Sequence, residues 1–171
     1  MAKHMILADG ILAIGGVDLG LTRGGGSFRI EREYREIQAD CDMGPVIGRI
    51  RKIRSVAKLQ MNMLEIDDEF LDAFAPATSV DTTTVVGTTT WTGKQDIELG
   101  DYQDLITWTG KTKEGESVII TLEKAINLEN IEWNMVSKEE IVPTVTYTAV
   151  YTEANRHSEE GEPWSVDFVG A

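Results

Sequence analysis

Two segments alternate strictly between apolar and polar residues. In residues 58–63 Leu59, Met61 and Met63 fall on one side, and residues 27–31 repeat the pattern with Phe28 and Ile30. Successive side chains of a β-strand point to opposite faces, so this period of two predicts half-buried strands. The apolar residues are expected to face a core and the intervening ones to face water.

Further strands are predicted in the second half of the chain. Residues 118–122 and 145–151 are rich in β-branched and aromatic side chains, and threonine is frequent between residues 78 and 112. The turn-forming residues 113–116 separate residues 104–109 from 117–122, which predicts a hairpin. The chain is therefore predicted to be mainly β.

One short helix is predicted over residues 67–74. Acidic residues occupy its first turn, where they favour the positive end of the helix dipole. Phe70, Leu71 and Phe74 form one apolar stripe, and Pro76 follows as a stop signal. The expected element is an amphipathic helix lying on a sheet.

Glycine-rich stretches mark the predicted turns, at Gly24–Gly26 and at Gly44-Pro45. No composition shift suggests a second domain, so residues 1–171 are interpreted as a single domain, with residues 1–5 as a disordered end or a cloning remnant.

The acidic composition limits the function classes. A formal net charge of −13 opposes general nucleic-acid binding, which requires phosphate neutralisation. No stretch reaches the roughly 20 apolar residues of a membrane helix. The apolar part of the N-terminus is short and broken by Asp9, Gly10 and Gly15, which argues against a secretory signal.

The usual catalytic and ligand-binding motifs fail their spacing tests. Gly110-Lys111-Thr112 lacks the earlier glycine of a phosphate loop, since position 105 is leucine. Cys41 is the single cysteine and interpreted as a passive thiol, because the only histidines, His4 and His157, are remote in sequence. These residues predict no enzyme, metal or cofactor, although a glycosidase using two of the 29 acids stays open from spacing alone.

Basic residues concentrate in one segment, residues 49–54, continued by Lys58. Such a run suits a solvated strand edge, where positive charge discourages unwanted pairing. On an otherwise acidic chain it also suits head-to-tail charge complementarity between identical subunits.

The order of motifs along the chain resembles that of the tail tube (major tail) proteins of long-tailed bacteriophages, the siphophages. Residues 19–37 are similar to the family's first strand region, with a glycine turn, an alternating strand and the Glu33-Tyr34-Arg35-Glu36-Ile37 run. The similarity continues through residues 39–40, 44–48 and 58–74, and closes with residues 141–147 and 162–166. Residues 78–135 match only loosely.

The resemblance implies a β-sandwich or partial barrel with one flanking helix, assembled as stacked hexameric rings around a lumen. It implies a virion protein, assembled in the host cytoplasm, that meets the tape-measure protein, the tail terminator and the baseplate or distal tail proteins. Viral DNA would pass without specific binding, and no membrane would be involved. Tubes of contractile injection machines share this fold and are an alternative.

Site residues follow from combining this resemblance with the alternation. The polar positions of the two strands are predicted to face the lumen, namely Ser27, Arg29, Glu31, Lys58, Gln60 and Asn62. A loop and the basic run are predicted to touch neighbouring subunits, through Asp40, Asp42, Gly44, Pro45, Arg49, Arg51, Lys52 and Arg54. Arg29 and Lys58 fit an acidic lumen only if acids such as Glu31 outweigh them, or if the register is shifted by one residue.

Two other classes stay open. A β-sandwich that binds carbohydrate would use tryptophan platforms, for which the candidates are Trp91, Trp108, Trp133 and Trp164. A jelly-roll hydrolase would depend on one specific pair of acids.

Overall fold

The computed structural model describes residues 5–154, 156 and 161–170. The interpretations of residues 1–4, including His4, and of His157 fall outside this range. The described elements are β1 (Ile6–Ile14), β2 (Val17–Asp18), β3 (Thr22–Glu36), β4 (Ile50–Met63), α1 (Leu71–Phe74), β5 (Thr78–Asp81), β6 (Thr90–Gly93), β7 (Gln103–Thr112), β8 (Ser117–Asn127), β9 (Thr144–Ala149) and β10 (Trp164–Val169). Single 3₁₀ turns span Asp68–Phe70 and Leu99–Asp101. The protein is mainly β, as predicted.

Eight strands form one antiparallel sheet, in the order β2-β1-β7-β8-β9-β4-β3, with β10 also paired to β8. The predicted hairpin of residues 104–109 and 117–122 is β7–β8. The strands β5 and β6 form a separate two-stranded sheet. Because β1 approaches β3 from the other end of the strand order, the large sheet curls around a single core.

The core fills the inside of this curl. Its members include Leu12, Leu59, Ile106, Leu122 and Tyr147, each at most 2% exposed. Helix α1 covers one end with Ala73 and Phe74, while Phe70 and Leu71 pack partly buried against the same cluster. The predicted apolar stripe is therefore confirmed, although half of the predicted helix is an irregular or 3₁₀ segment.

Alternation in β3 and β4 is confirmed by their register. Phe28 pairs with Leu59, whereas Ser27 pairs with Gln60 and Arg29 with Lys58. Leu59, Met61 and Met63 are buried, and Phe28 and Ile30 are partly buried against the core. The two strands thus have one dry face and one polar face, and the assignment is not shifted by a residue.

Beyond its pairing with β9, which covers Lys58 to Asn62, β4 continues for eight residues with β3 as its only paired strand among the described residues. We call residues 32–54 the arm and the rest of the described chain the body. Nearly all arm residues are exposed, including Tyr34 and Ile53, at 59% and 61%. The arm is a two-stranded ribbon closed by the loop of residues 37–49.

The predicted turn at Gly24–Gly26 is wrong, since these residues lie inside β3. Gly24 and Gly25 adopt φ values of 81° and 74°, and the register with β4 shifts between Thr22 and Gly26. Glycine takes positive φ without steric cost, so the triplet forms a β-bulge within one continuous strand.

Strands β1 and β2 were not predicted, and a tryptophan explains how β1 forms in a glycine-containing segment. Gly10 pairs with Gly110, and the indole of Trp108 lies across both. A Cβ atom added at Gly10 or Gly110 would come within 2.3 or 2.2 Å of that ring. The indole thus occupies the volume that two side chains would otherwise fill.

Candidate functional site

The predicted lumen-facing residues share the polar face of β3 and β4. Ser27, Arg29 and Glu31 lie opposite Gln60, Lys58 and Val56 on the neighbouring strand. The Oγ of Ser27 donates a hydrogen bond to Oε1 of Gln60 at 3.3 Å. Asn62 continues this face and accepts a hydrogen bond from Thr144 on β9 at 2.8 Å. The sheet therefore brings all six residues together on one surface.

Each of the two cations on this face has a carboxylate beside it. Arg29 Nε is 3.2 Å from Glu31 Oε1, and Lys58 Nζ is 3.3 Å from Glu129 Oε1 and 3.8 Å from Glu31. Glu31 and Glu129 are about half exposed, so these contacts contribute little stability. Their consequence is electrostatic, because they offset the positive charge of the face.

Part of the polar face is covered. Glu129 and Asn130 line a polar recess of about 270 Å³ together with Arg29, Gln60 and Thr146. Thr146 is only 6% exposed, and Lys58 keeps 19% of its side-chain surface. Sequence alternation did not predict this cover, because it comes from a segment about 70 residues away from β4 in the chain.

The predicted docking residues all lie in the arm. Asp40, Gly44 and Pro45 belong to the loop of residues 37–49, and Asp42 holds that loop together. The Asp42 carboxylate accepts hydrogen bonds from the Ala39 amide at 2.7 Å and from Arg49 at 2.6 Å. Cys41 is exposed in the same loop, with no cysteine partner in the chain.

The basic run is distributed over both faces of the arm. Arg54 pairs with Glu33 at 3.1 Å, and Lys52 bonds Glu162. Arg51 instead lies directly opposite Arg35. A register shift between Glu33 and Tyr34 adds one residue to β4, and this bulge separates the two halves of the run.

Glu162, just before β10, joins that segment to β4 where the arm meets the body, at Lys52 and Ser55. Its carboxylate accepts hydrogen bonds from Ser55 Oγ at 2.7 Å, from Trp164 Nε1 at 2.6 Å and from Lys52. Burial alone would raise the pKa of Glu162, but these hydrogen bonds outweigh it and lower the pKa to about 2. Sequence reasoning missed the role of this residue, since Lys52 and Ser55 are more than 100 positions away from it.

The four tryptophans occupy different environments. Trp108 is 8% exposed in the core, and Trp164 packs on Phe28 with ring centroids 5.7 Å apart. Trp91 stacks on Trp133 at 6.0 Å. Trp91 also lines a recess of about 530 Å³, next to the polar residues Glu129 and Asn130. Trp108 lines a smaller recess, of about 270 Å³, together with Phe28 and Leu59. The tryptophans thus do not form one platform.

The end of β4 away from the arm is acidic. Asp18 and Glu65 lie close together there, because they accept hydrogen bonds from the adjacent amides of Gly20 and Leu21, at 2.9 and 3.0 Å. Asp67 and Asp68 follow directly after. We call Asp18, Glu65, Asp67 and Asp68 the acidic end.

Two searches of the described part of the chain bear on other site classes. No group of three or more His, Cys, Asp or Glu residues in that part is arranged to hold a metal ion. Nor does any helix there have the length and apolar character needed to cross a membrane. In comparisons with known proteins, no family model and no curated protein matched the chain.

Proposed function

We propose that this chain is a structural subunit that polymerises as stacked hexameric rings into the tail tube of a long-tailed bacteriophage. In this role it has no catalytic activity and binds no cofactor. Its partners are further copies of itself, the tape-measure protein, the tail terminator and the baseplate or distal tail proteins. The tube conducts viral DNA and becomes part of the virion.

The observation that carries this proposal is the extended β3–β4 ribbon. Its body half has a dry face on the core and a polar face with offset charges, as the wall of a water-filled conduit requires. The outer edge of β3 is the end of the strand order in the described sheet. An unpaired edge is a template for another strand, so pairing between subunits would close the wall.

The charge distribution supports stacking. The arm carries six basic and four acidic residues, a net charge of +2, so the remaining sequence carries −15. The acidic end lies at the opposite end of β4, whose 14 residues span roughly 45 Å. A subunit that is basic at one end and acidic at the other favours head-to-tail addition of identical copies.

The same charge supports passive conduction. With −15 on the sequence outside the arm, repeated around a ring, the wall would repel the phosphates of passing DNA. Arg29 and Lys58 do not reverse this, because Glu31 and Glu129 neutralise them. The wall would then bind the passing DNA only weakly.

Negative-stain electron microscopy of the concentrated protein, with light scattering on the same sample, tests the proposal. Hollow rings or tubes with six-fold symmetry are the expected result. If the protein is monomeric, it is then offered to tail initiator complexes, which supply a nucleus. A chain that stays monomeric and also fails to join these complexes would overturn the proposal.

A second candidate, carbohydrate binding, rests on the recess beside Trp91. An aromatic ring near the carboxylate of Glu129 and the amide of Asn130 is a plausible composition for a sugar site. Retention on a glycan affinity gel that is lost on Trp91→Ala would favour this candidate. A tube subunit should pass through the gel unretained.

A further inference from the structure

Arg35 and Arg51 form a cross-strand pair of like charges near the middle of the arm. They are direct register partners in β3 and β4, and both are exposed. Side chains in such positions leave the sheet on the same face with Cβ atoms roughly 5 Å apart. Among the described residues, neither guanidinium has a carboxylate within ion-pair distance.

The other arm cations differ from this pair. Arg49 contacts Asp42, Arg54 contacts Glu33, and Lys52 contacts Glu162. Arg32 also lies 3.9 Å from Glu162. Like charges placed directly opposite each other destabilise a strand pair, so this arrangement is costly in the isolated chain. It becomes favourable once an anion lies between the two groups.

Two adjacent guanidinium groups fit one ligand chemistry especially well. Each group is planar, permanently charged and donates through a fork of N–H groups that matches the oxygens of a carboxylate or a phosphate. Such charge-assisted, bidentate hydrogen bonds are roughly twice as strong as hydrogen bonds between neutral groups. An oxyanion held between the two arginines would accept hydrogen bonds from both and would offset their repulsion.

We propose that Arg35 and Arg51 form a carboxylate-binding site that receives an acidic side chain from the acidic end of a second copy of this chain. The inference rests on the proposed head-to-tail stacking and names the contact that holds it. A heterologous contact of this kind leaves, after each addition, one arginine site and one acidic end that face no neighbouring copy, so growth continues.

Charge complementarity selects a second copy as the occupant. The sequence outside the arm carries −15, which supplies many carboxylates and repels a long polyanion such as nucleic acid. The site and the acidic end lie toward opposite ends of β4. Two copies aligned along the strand direction would therefore bring the site of one against the acids of the other.

Zero-length carbodiimide cross-linking tests the contact directly. The variant Arg51→Lys keeps the positive charge and supplies an amine that the reagent joins to a touching carboxylate. Equal amounts of ¹⁴N- and ¹⁵N-labelled protein are mixed, so that mass spectrometry separates links between chains from links within one chain. The expected product joins position 51 to Asp18, Glu65, Asp67 or Asp68 in mixed-isotope pairs.

Arg23→Lys is the matched control. Arg23 is an exposed β3 arginine 2.8 Å from Glu140 of the same chain, with 60% of its side chain accessible. Its introduced amine should link to Glu140 within one chain. A second measurement, sedimentation of Arg35→Gln/Arg51→Gln at low salt, should show self-association at least about tenfold weaker than wild type. The control Arg23→Gln should associate like wild type.

The outcomes separate this inference from the proposed function. Tubes in the microscope without the intermolecular link, or with Arg35→Gln/Arg51→Gln still assembling normally, overturn the arginine site and leave the tube intact. An intermolecular link without rings or tubes supports the site and counts against the tube. A link from position 51 to a carboxylate of the same chain overturns the site in either case.

Discussion

Strands β3 and β4 run through both the body and the arm, yet the two regions are held in different ways. In the body, β4 pairs with β3 on one edge and β9 on the other, and Leu59 and Met61 are buried. In the arm, the strands have only each other, and Ile50 and Ile53 are more than half exposed. Burial, the main stabilising contribution to folding, is nearly absent from the arm.

This difference indicates where each region finds its stabilising contacts. A lone two-stranded ribbon is marginally stable in water. Its exposed isoleucine, methionine and tyrosine side chains contribute no burial energy to the folding of a single chain. The body buries a core of its own, whereas the apolar side chains of the arm are exposed in the single chain. Substitutions in the body should therefore lower the free energy of unfolding more than substitutions in the arm.

The largest contrast is expected between two apolar truncations. Leu59→Ala removes a side chain that is 2% exposed and should lower the free energy of unfolding by about 3 kcal/mol. Ile53→Ala, at 61% exposure, should change it by less than about 0.5 kcal/mol. Urea denaturation of both monomers measures the difference. Equal losses would show that the arm is packed as the body is.

Glu162, at the junction of the two regions, should give the next largest effect. Glu162→Gln keeps the shape but loses the charge that Lys52, Ser55 and Trp164 bind, and should cost about 2 kcal/mol at pH 7. Thermal or urea unfolding at that pH measures it. A loss confined to the arm, with the body's unfolding midpoint unchanged, would mean that Glu162 belongs to the arm alone.

The same residue predicts a pH dependence. The pKa of Glu162 is about 2 in the folded chain and lies below its ordinary value of 4.5. The stabilisation is therefore complete above about pH 4.5 and is lost as the pH falls toward 2. The difference in unfolding free energy between wild type and Glu162→Gln should shrink over this window. A difference that stays constant down to pH 2 would contradict the lowered pKa.

Gly110→Ala in the body should lower the free energy of unfolding by about 1.5 kcal/mol, because the new Cβ atom displaces the Trp108 ring. Adding Trp108→Phe should recover part of that loss, since the smaller ring leaves room. Near-ultraviolet circular dichroism reports the tryptophan environment, and urea denaturation reports stability. Additive losses in the double variant would mean that the two positions are not in contact.

The smallest effect is expected within the arm itself. The pair of Glu33 and Arg54 is exposed on both sides, so Glu33→Gln should change the free energy of unfolding by about 0.3 kcal/mol. The same urea measurement, compared with Glu162→Gln, tests whether a charge in the arm matters less than a charge at its base. A loss as large as that of Glu162→Gln would remove the distinction between arm and body.

The sequence predicted the elements in which one face is wet and the other dry. The residues of β3 and β4 from Ser27 to Glu31 and from Lys58 to Met63 alternate for that reason, and the β7–β8 hairpin has a clear turn. The mainly β character of the chain and the apolar stripe of the short helical segment were predicted on the same physical grounds.

Features that depend on distant parts of the chain were not predictable. Strand β1 contains Gly10 because Trp108 of another strand fills the space, and the glycines before Ser27 form a bulge in place of a turn. The Glu162 anchor and the cover over the polar face join segments far apart in sequence. Contacts between distant segments determine the structure at such positions, and the local sequence pattern does not indicate those contacts.

The two glycines beneath Trp108 have a consequence for how this sequence can change over generations. Because neither Gly10 nor Gly110 has room for a side chain, mutation at either position should be accepted only after a smaller residue has replaced the tryptophan. The reverse order passes through a less stable intermediate, in which the new side chain displaces the indole. The three positions would therefore vary together among descendants, and the history of their replacements would run in one direction.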